Sequence, residues 1–413
     1  MGLPILKDNA PKGKRPTRAA GKSRDKLRIC ETPYCSLQQG ELPPGCKACV
    51  KGEKLVLFIT GLCPATCFFC PISDEKKMKD VIHANEQELT GTQKEQIAQL
   101  ITEAKANKAT GAGITGGDPL TRLDRTCAYI KALKKEFGKK FHTHLYTPLI
   151  LVNERTLAML HDAGLDEIRF HPSLYSEKFW PRMLLAKKYN WDIGIEIPVI
   201  PDMVKESERL ITYAAENDII SFLNLNELEI SERTIETFEK RGYKIIGKHS
   251  YAIAGSMAAG RRLMRFAQQY GLAAHFCTTT LKDRIQMGNR VIRRAENVAR
   301  PFDIVDEEGI LTRGAVYLSY TPEFSYKKKL KSLTTEERET EIVRLKEVFA
   351  WLRTQGMPSD AGIIDAIRMR VVLGADALQS LHKRLEKRFP KATCAIIKEW
   401  PTSDAFIVEM EKL

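Results

Sequence analysis

The sequence lacks any run of about 18 consecutive apolar residues, the length a membrane-spanning helix needs, so no such helix is expected. Its opening, MGLPILKDNAPKGKRPTRAAGKSRDKLR, has no apolar core of the kind a secretory leader carries. The Met-Gly start also lacks the Ser or Thr at position six that a myristoylation signal requires. Internal repeats and low-complexity tracts are absent too. These absences leave a cytoplasmic protein, with no membrane partner, as the default expectation. In a reducing compartment its ten cysteines are expected as metal ligands or buried thiols, not disulfides.

At 413 residues the chain is long enough for two or three domains with a substantial core. The net charge is +13, and residues 1–28 hold nine Lys and Arg against Asp8 and Asp25. Such a segment has too few apolar residues to fold alone. It reads as a solubilising tail that can also grip RNA, DNA or an acidic partner, since basic tails attract polyanions without selecting one.

A cysteine-rich stretch, 29–52, follows and reads as a metal-binding knob. Over 53–300, short apolar runs alternate with helical patterns, which predicts an α/β unit with parallel strands. Strands are expected at KLVLFIT (54–60), AGIT (112–115), FHTHLY (141–146), DEIRFH (166–171), DIGIEIPVI (192–200) and SFLNLNE (221–227). GLAAHFCTTT (271–280) can extend the sheet, and EQELTGTQKEQIAQLITEAKAN and RLDRTCAYIKALKKEF read as helices. From 301 to 413 the texture changes to a small α+β accessory domain with a long helix near 335–355.

The expected strands carry an unusual alternation. Parallel strands covered on both faces normally read as continuous apolar runs. Here one face holds His142, His144 and Tyr146, Arg169 and His171, Glu196 beside Gly194, and Asn224 and Asn226. The other holds Phe141, Leu145, Ile168, Phe170, Ile193, Ile195, Ile197, Leu223 and Leu225. Side chains alternate across a strand, so the apolar set should meet outer helices and the polar set should line a lumen. That fits a barrel holding a ligand, not one filled by aliphatic layers.

In TGLCPATCFFCPIS, Cys63, Cys67 and Cys70 fall just after a strand. A structural zinc wants four ligands and a disulfide wants two. A cubane iron–sulfur cluster has four irons, so three thiolates leave one iron open for another molecule. The position after a strand puts the loop at the C-terminal mouth of a barrel, where active sites lie.

The C-x3-C-x2-C spacing, with Phe69 before the third cysteine, resembles the radical S-adenosylmethionine superfamily. The resemblance implies a partial (β/α)6 barrel and a [4Fe–4S] cluster on Cys63, Cys67 and Cys70. It also implies reductive cleavage of S-adenosylmethionine to methionine and a 5′-deoxyadenosyl radical that abstracts hydrogen from a substrate. Gly116-Gly117-Asp118-Pro119 resembles that family's Gly-Gly-Glu-Pro segment, which receives the methionine ammonium on its backbone. Asp118 departs from the usual Glu and also reads as an N-cap before Pro119. By strand order the resemblance puts forward Glu196, Asn224 and Asn226 as ribose and adenine contacts, with Arg169 and His171 as further candidates. Gly111, Gly113 and Gly116 match G-x-G-x-x-G, but that fingerprint should follow a strand and open a helix; here it spans a strand, so dinucleotide binding is not expected. GCKACVKGEKLVLFITGLCPATCFFCP and, more weakly, HFCTTTLKD resemble a mostly archaeal group related to pyruvate formate-lyase activating enzymes.

Cys30, Cys35, Cys46 and Cys49 form a second set whose spacing suits a closed four-thiolate zinc site, with an auxiliary iron–sulfur cluster as the alternative. Cys277, at the end of an expected strand, is a candidate catalytic thiol; buried cysteines are also ordinary core residues. Three substrate classes stay open: a small molecule or cofactor precursor, an RNA, or the glycine of a partner enzyme. Any of them implies an electron donor such as a ferredoxin or flavodoxin. The rival outside catalysis is a zinc- or iron-binding nucleic-acid module with both cysteine sets structural.

Overall fold

A computed structural model describes residues 27–247, 250–358 and 360–413. The basic tail of residues 1–28, apart from its last two, lies outside them.

Seven parallel strands stand side by side in chain order: β1 (Lys54–Phe58), β2 (Gly111–Thr115), β3 (His142–Thr147), β4 (Glu167–Phe170), β5 (Asp192–Val199), β6 (Phe222–Glu227) and β7 (Ala273–Cys277). Each parallel step needs a crossover, and helices such as Gln93–Ala106, Leu123–Phe137, Glu154–Ala163, Val204–Glu216 and Ser256–Gln269 supply them. The result is the partial barrel of the expected α/β class, with the run at 273–277 as a seventh strand. Its apolar face is buried: Leu55, Leu57, Ile114, Leu145, Ile168, Phe170, Ile195, Ile197, Leu223 and Leu225 have no exposed surface. Each such side chain contributes about 1.5–3 kcal/mol on burial.

The sequence starts and stops these helices locally. Thr92 and Glu95 form a reciprocal capping box at Gln93–Ala106, and Asn153 and Thr156 do the same at Glu154–Ala163. The helical reading of 86–107 therefore shortens at Thr92, and Gln87–Glu88 instead pairs with His83–Ala84 as a hairpin on the free edge of β1.

The stretch 29–52 is built into the barrel. Leu37–Gln39 adds antiparallel to the free edge of β7, and Cys30–Glu31 pairs with it. The helix Pro44–Val50 then packs inside, against β1, β2 and β3, before the chain enters β1. Thus the open side between β1 and β7 is closed by packing and not by a ladder.

The remaining residues form a second, antiparallel sheet in the order Gly362–Asp365, Arg370–Leu373, Leu311–Tyr317, Thr393–Glu399 and Ile407–Lys412. Helices Thr335–Thr354 and Ala375–Arg388 pack on it around Val316, Leu345, Val348, Leu352, Val371 and Leu378. Arg294, on helix Met287–Val298, ties this unit to the barrel: it donates to Glu103 (2.6 Å) and to the Pro401 carbonyl (2.5 Å).

Candidate active site

The cysteine loop leaves the C-terminal end of β1 and is stitched to the end of β2 by backbone. Gly117 N donates to the Thr60 carbonyl (2.7 Å) and Asp118 N to that of Leu62 (2.8 Å). A Cβ on Gly117 would overlap the Leu62 carbonyl; one on Gly116, whose φ is +148°, would overlap that of Thr60. Both glycines are therefore required by the close approach of the two segments. Asp80 fixes the start of the loop, accepting from Thr60 Oγ1 (2.8 Å), Arg122 (2.8 Å) and Arg125 (2.7 Å); these bonds hold its carboxyl well below the usual range.

Cys63, Cys67 and Cys70 follow, all partly exposed. Burial pushes the Cys67 thiol up to about 11 and raises that of Cys63. Phe69 lies against His171, ring centroids 5.7 Å apart, and His171 Nδ1 donates to the Glu196 carbonyl (2.8 Å).

All three cysteines line a cavity of about 440 Å³ at the C-terminal mouth of the barrel. Gly116, Gly117, Tyr146, Thr147, His171, Glu196 and Asn226 line it too, and Lys54, Val56 and Gly113 lie at its inner end. The Glu196 carboxylate is held at both oxygens, by Arg169 (2.7 Å) and by Asn226 Nδ2 (3.0 Å). Burial raises the cost of its charge, and Arg169 and Asn226 outweigh that, so its pKa falls. Arg169 also pairs with the buried Glu167 and lies over the rings of Tyr146 and Phe222.

Several candidate residues stand elsewhere. Asp118 is fully buried outside the cavity wall; its Oδ1 accepts from Leu120 N (3.1 Å), capping the turn Pro119–Arg122, and from Thr147 Oγ1 (3.2 Å). Asn224, two residues below Asn226, accepts from the Nδ1–H of His275 (2.9 Å) instead of facing the cavity. Burial lowers the His275 pKa to about 4, so the ring is neutral and accepts at Nε2 from Ser36 Oγ (3.1 Å). Cys277 packs among Val50, Leu281 and Ile285, and burial pushes its thiol up.

The second cysteine set differs in exposure. Cys30 and Cys35 are exposed on the edge hairpin, whereas Cys46 is buried inside the barrel. There Arg169 donates to its Sγ (3.4 Å), and burial pushes the thiol up to about 11. Among the described residues no three His, Cys, Asp or Glu side chains gather closely enough to hold a metal ion. That bears on zinc, which draws its ligands to one point, more than on a cubane, which gives each thiolate its own iron.

A family model described as the radical SAM superfamily matches residues 57–197, from the end of β1 past Glu196. A Methanocaldococcus jannaschii protein named as a candidate glycyl-radical enzyme activating enzyme is 40% identical over 380 residues, spanning 89% of this chain and 92% of its own. The chain belongs to the radical S-adenosylmethionine superfamily. Among solved structures, the radical S-adenosylmethionine methyltransferase TsrM of Kitasatospora setae, bound to tryptophan and a cofactor analogue, overlaps 62% of this chain and 54% of its own at 10% identity and TM-score 0.34. Methylornithine synthase overlaps 58% of this chain and 77% of its own at 13% identity and TM-score 0.35.

As a superfamily member the chain is an S-adenosylmethionine-dependent enzyme with a [4Fe–4S] cluster. The residues present fit both groups: three thiols share one loop at the cavity edge, and Gly116 and Gly117 line the same cavity. Among the described residues no helix is long and apolar enough to cross a membrane.

Sequence reasoning missed Lys54, Thr147, Lys282 and His275. The first was within reach of the alternation argument, since Lys54 and Val56 share the inward face of β1. The Thr147 contact to Asp118 joins residues from two strand ends and leaves no local signal.

Proposed function

We propose that Cys63, Cys67 and Cys70 each take one iron of a [4Fe–4S] cluster, leaving the fourth for S-adenosylmethionine, and that the substrate is a small molecule. When bound, the cluster supplies the electron that splits S-adenosylmethionine, giving the 5′-deoxyadenosyl radical that takes hydrogen from the substrate. The chain's own residues prepare the place. Gly116 and Gly117 offer backbone to the methionine end; Phe69 and His171 shield the loop; Glu196 and Asn226 present a fixed acceptor and donor to the ribose and adenine. The observation that carries the reading is the cavity that joins the three thiols to this polar wall.

A second reading, activation of a glycyl-radical enzyme, is favoured by the relative's name. Exposed Met78, Tyr175, Ile246 and Tyr251 offer apolar surface to a protein partner. Both readings require an electron donor such as a ferredoxin or flavodoxin. The RNA reading depends on residues that lie almost wholly outside those described and gains no support.

The test is anaerobic reconstitution with iron and sulfide, addition of S-adenosylmethionine and dithionite, and quantification of 5′-deoxyadenosine beside Cys67→Ala. Product from the native chain but not from the variant is expected. No product from a sample carrying a reducible cubane cluster would overturn the proposal.

A further inference from the structure

Three lysines reach the cavity wall: Lys54, Lys77 and Lys282. Lys282 is paired with Glu229 (3.2 Å). Lys77 stands on the cysteine loop, beside Cys63 and Cys67. Lys54 opens β1, at the end of the strand away from that loop, and its chain runs inward across β2. It does so over Gly113: a Cβ there would stand 3.2 Å from Lys54 Cδ and 2.8 Å from His144 Nε2. The middle glycine of the false dinucleotide fingerprint is thus the passage through which a lysine enters the cavity.

At the floor, Lys54 has acidic neighbours but no partner. Glu196 already spends one oxygen on Arg169 and the other on Asn226. The Tyr146 hydroxyl is engaged with His144 Nε2 (3.2 Å). Among the described residues no ion pair or hydrogen bond is formed by the Lys54 ammonium. As an ammonium it has three donors to give. A lysine serving only to balance interior charge is best placed in direct contact with a carboxylate; this one is held apart and turned into the cavity.

We infer that Lys54 anchors a carboxylate of the substrate at the cavity floor, so that the substrate is a small carboxylic acid entering past the cysteine loop. One ammonium matches one carboxylate through charge-assisted hydrogen bonds. A phosphate dianion would need further cationic donors beside Glu196, and Arg169, which pairs with Glu167 and Glu196, is not among the residues lining the cavity. The inference rests on the small-molecule reading, but its test needs no turnover.

Crystals of the full chain are soaked in sodium bromide, and bromide is located by its anomalous scattering. A peak within hydrogen-bond distance of Lys54 Nζ is expected in the native protein and none in Lys54→Met. In solution, acetate should raise the native melting temperature more than acetamide does, and the difference should vanish in Lys54→Met, or in Lys54→Gln if the first variant folds poorly. Native crystals with bromide elsewhere and none at Lys54 would overturn the inference, as would equal effects of acetate and acetamide on the native chain. Bromide at Lys54 without 5′-deoxyadenosine formation would instead keep this site and remove the radical chemistry.

Discussion

Asp118 is a carboxylic acid kept inside the fold with Oδ2 unpartnered, and its burial raises its pKa from an ordinary 3.8 to about 6. The folded chain therefore holds this proton more tightly than the unfolded one. The associated stability is fully present below about pH 4 and is lost as pH rises through about 6. Asp118→Asn keeps an acceptor for Leu120 N and Thr147 without the charge. It should be more stable than the native chain at pH 7.5 by about 1–3 kcal/mol. Urea unfolding at several pH values checks this: the two stability curves should separate between pH 4 and 6, and parallel curves would contradict it. Gly117→Ala acts on the same junction by shape, forcing the Leu62 carbonyl away and moving the cysteine loop. A loss of about 1–3 kcal/mol is expected from overpacking. Iron bound per chain after reconstitution should fall several-fold, whereas undiminished iron would show that the junction does not position the thiols.

Helix Pro44–Val50 shows what an element can hide from sequence. Its C-x2-C spacing matches a metal knuckle, and spacing says nothing about which way a helix faces. Here Gly45 and Cys46 turn inward onto His144, Arg169 and Asn224, so Cys46 is buried whereas Cys30 and Cys35 are exposed. The barrel strands were legible because alternation is a property of each strand by itself. FHTHLY and SFLNLNE need no knowledge of neighbours to declare two faces. The hairpin His83–Glu88 was not legible, since two-residue strands are too short to alternate. The loop cysteines and paired glycines were legible as a resemblance, but the inward turn of Asp118 and Asn224 depends on Thr147 and His275, far away in sequence. The plug itself is testable through Gly45→Ala. Its Cβ would stand 2.7 Å from Arg169 Nη2 and from the His144 ring, pressing the helix out of the barrel. A loss of about 1–3 kcal/mol is expected, read as a lowered melting temperature; an unchanged one would mean the helix has room to shift.

Across the whole molecule, barrel and accessory unit meet at a buried charge. Arg294 satisfies Glu103, which among the described residues otherwise has only Asn85 (2.9 Å), and binds the Pro401 carbonyl. Arg294→Met should cost about 3–5 kcal/mol by stranding Glu103, and calorimetry should show barrel and accessory unit unfolding less cooperatively than in the native chain. A sharp transition at the native temperature would deny the bridge this role. The edge pairing of Leu37–Gln39 with β7 carries a consequence for synthesis. Gln39 reaches the Leu272 carbonyl (2.8 Å) across 233 residues. At about 5–20 residues per second, the early segment waits roughly 10–50 s on the ribosome for its partner. Through that interval the strand Leu37–Gln39 stays unpaired in the nascent chain, so the barrel's first strand is among the last to be sheltered.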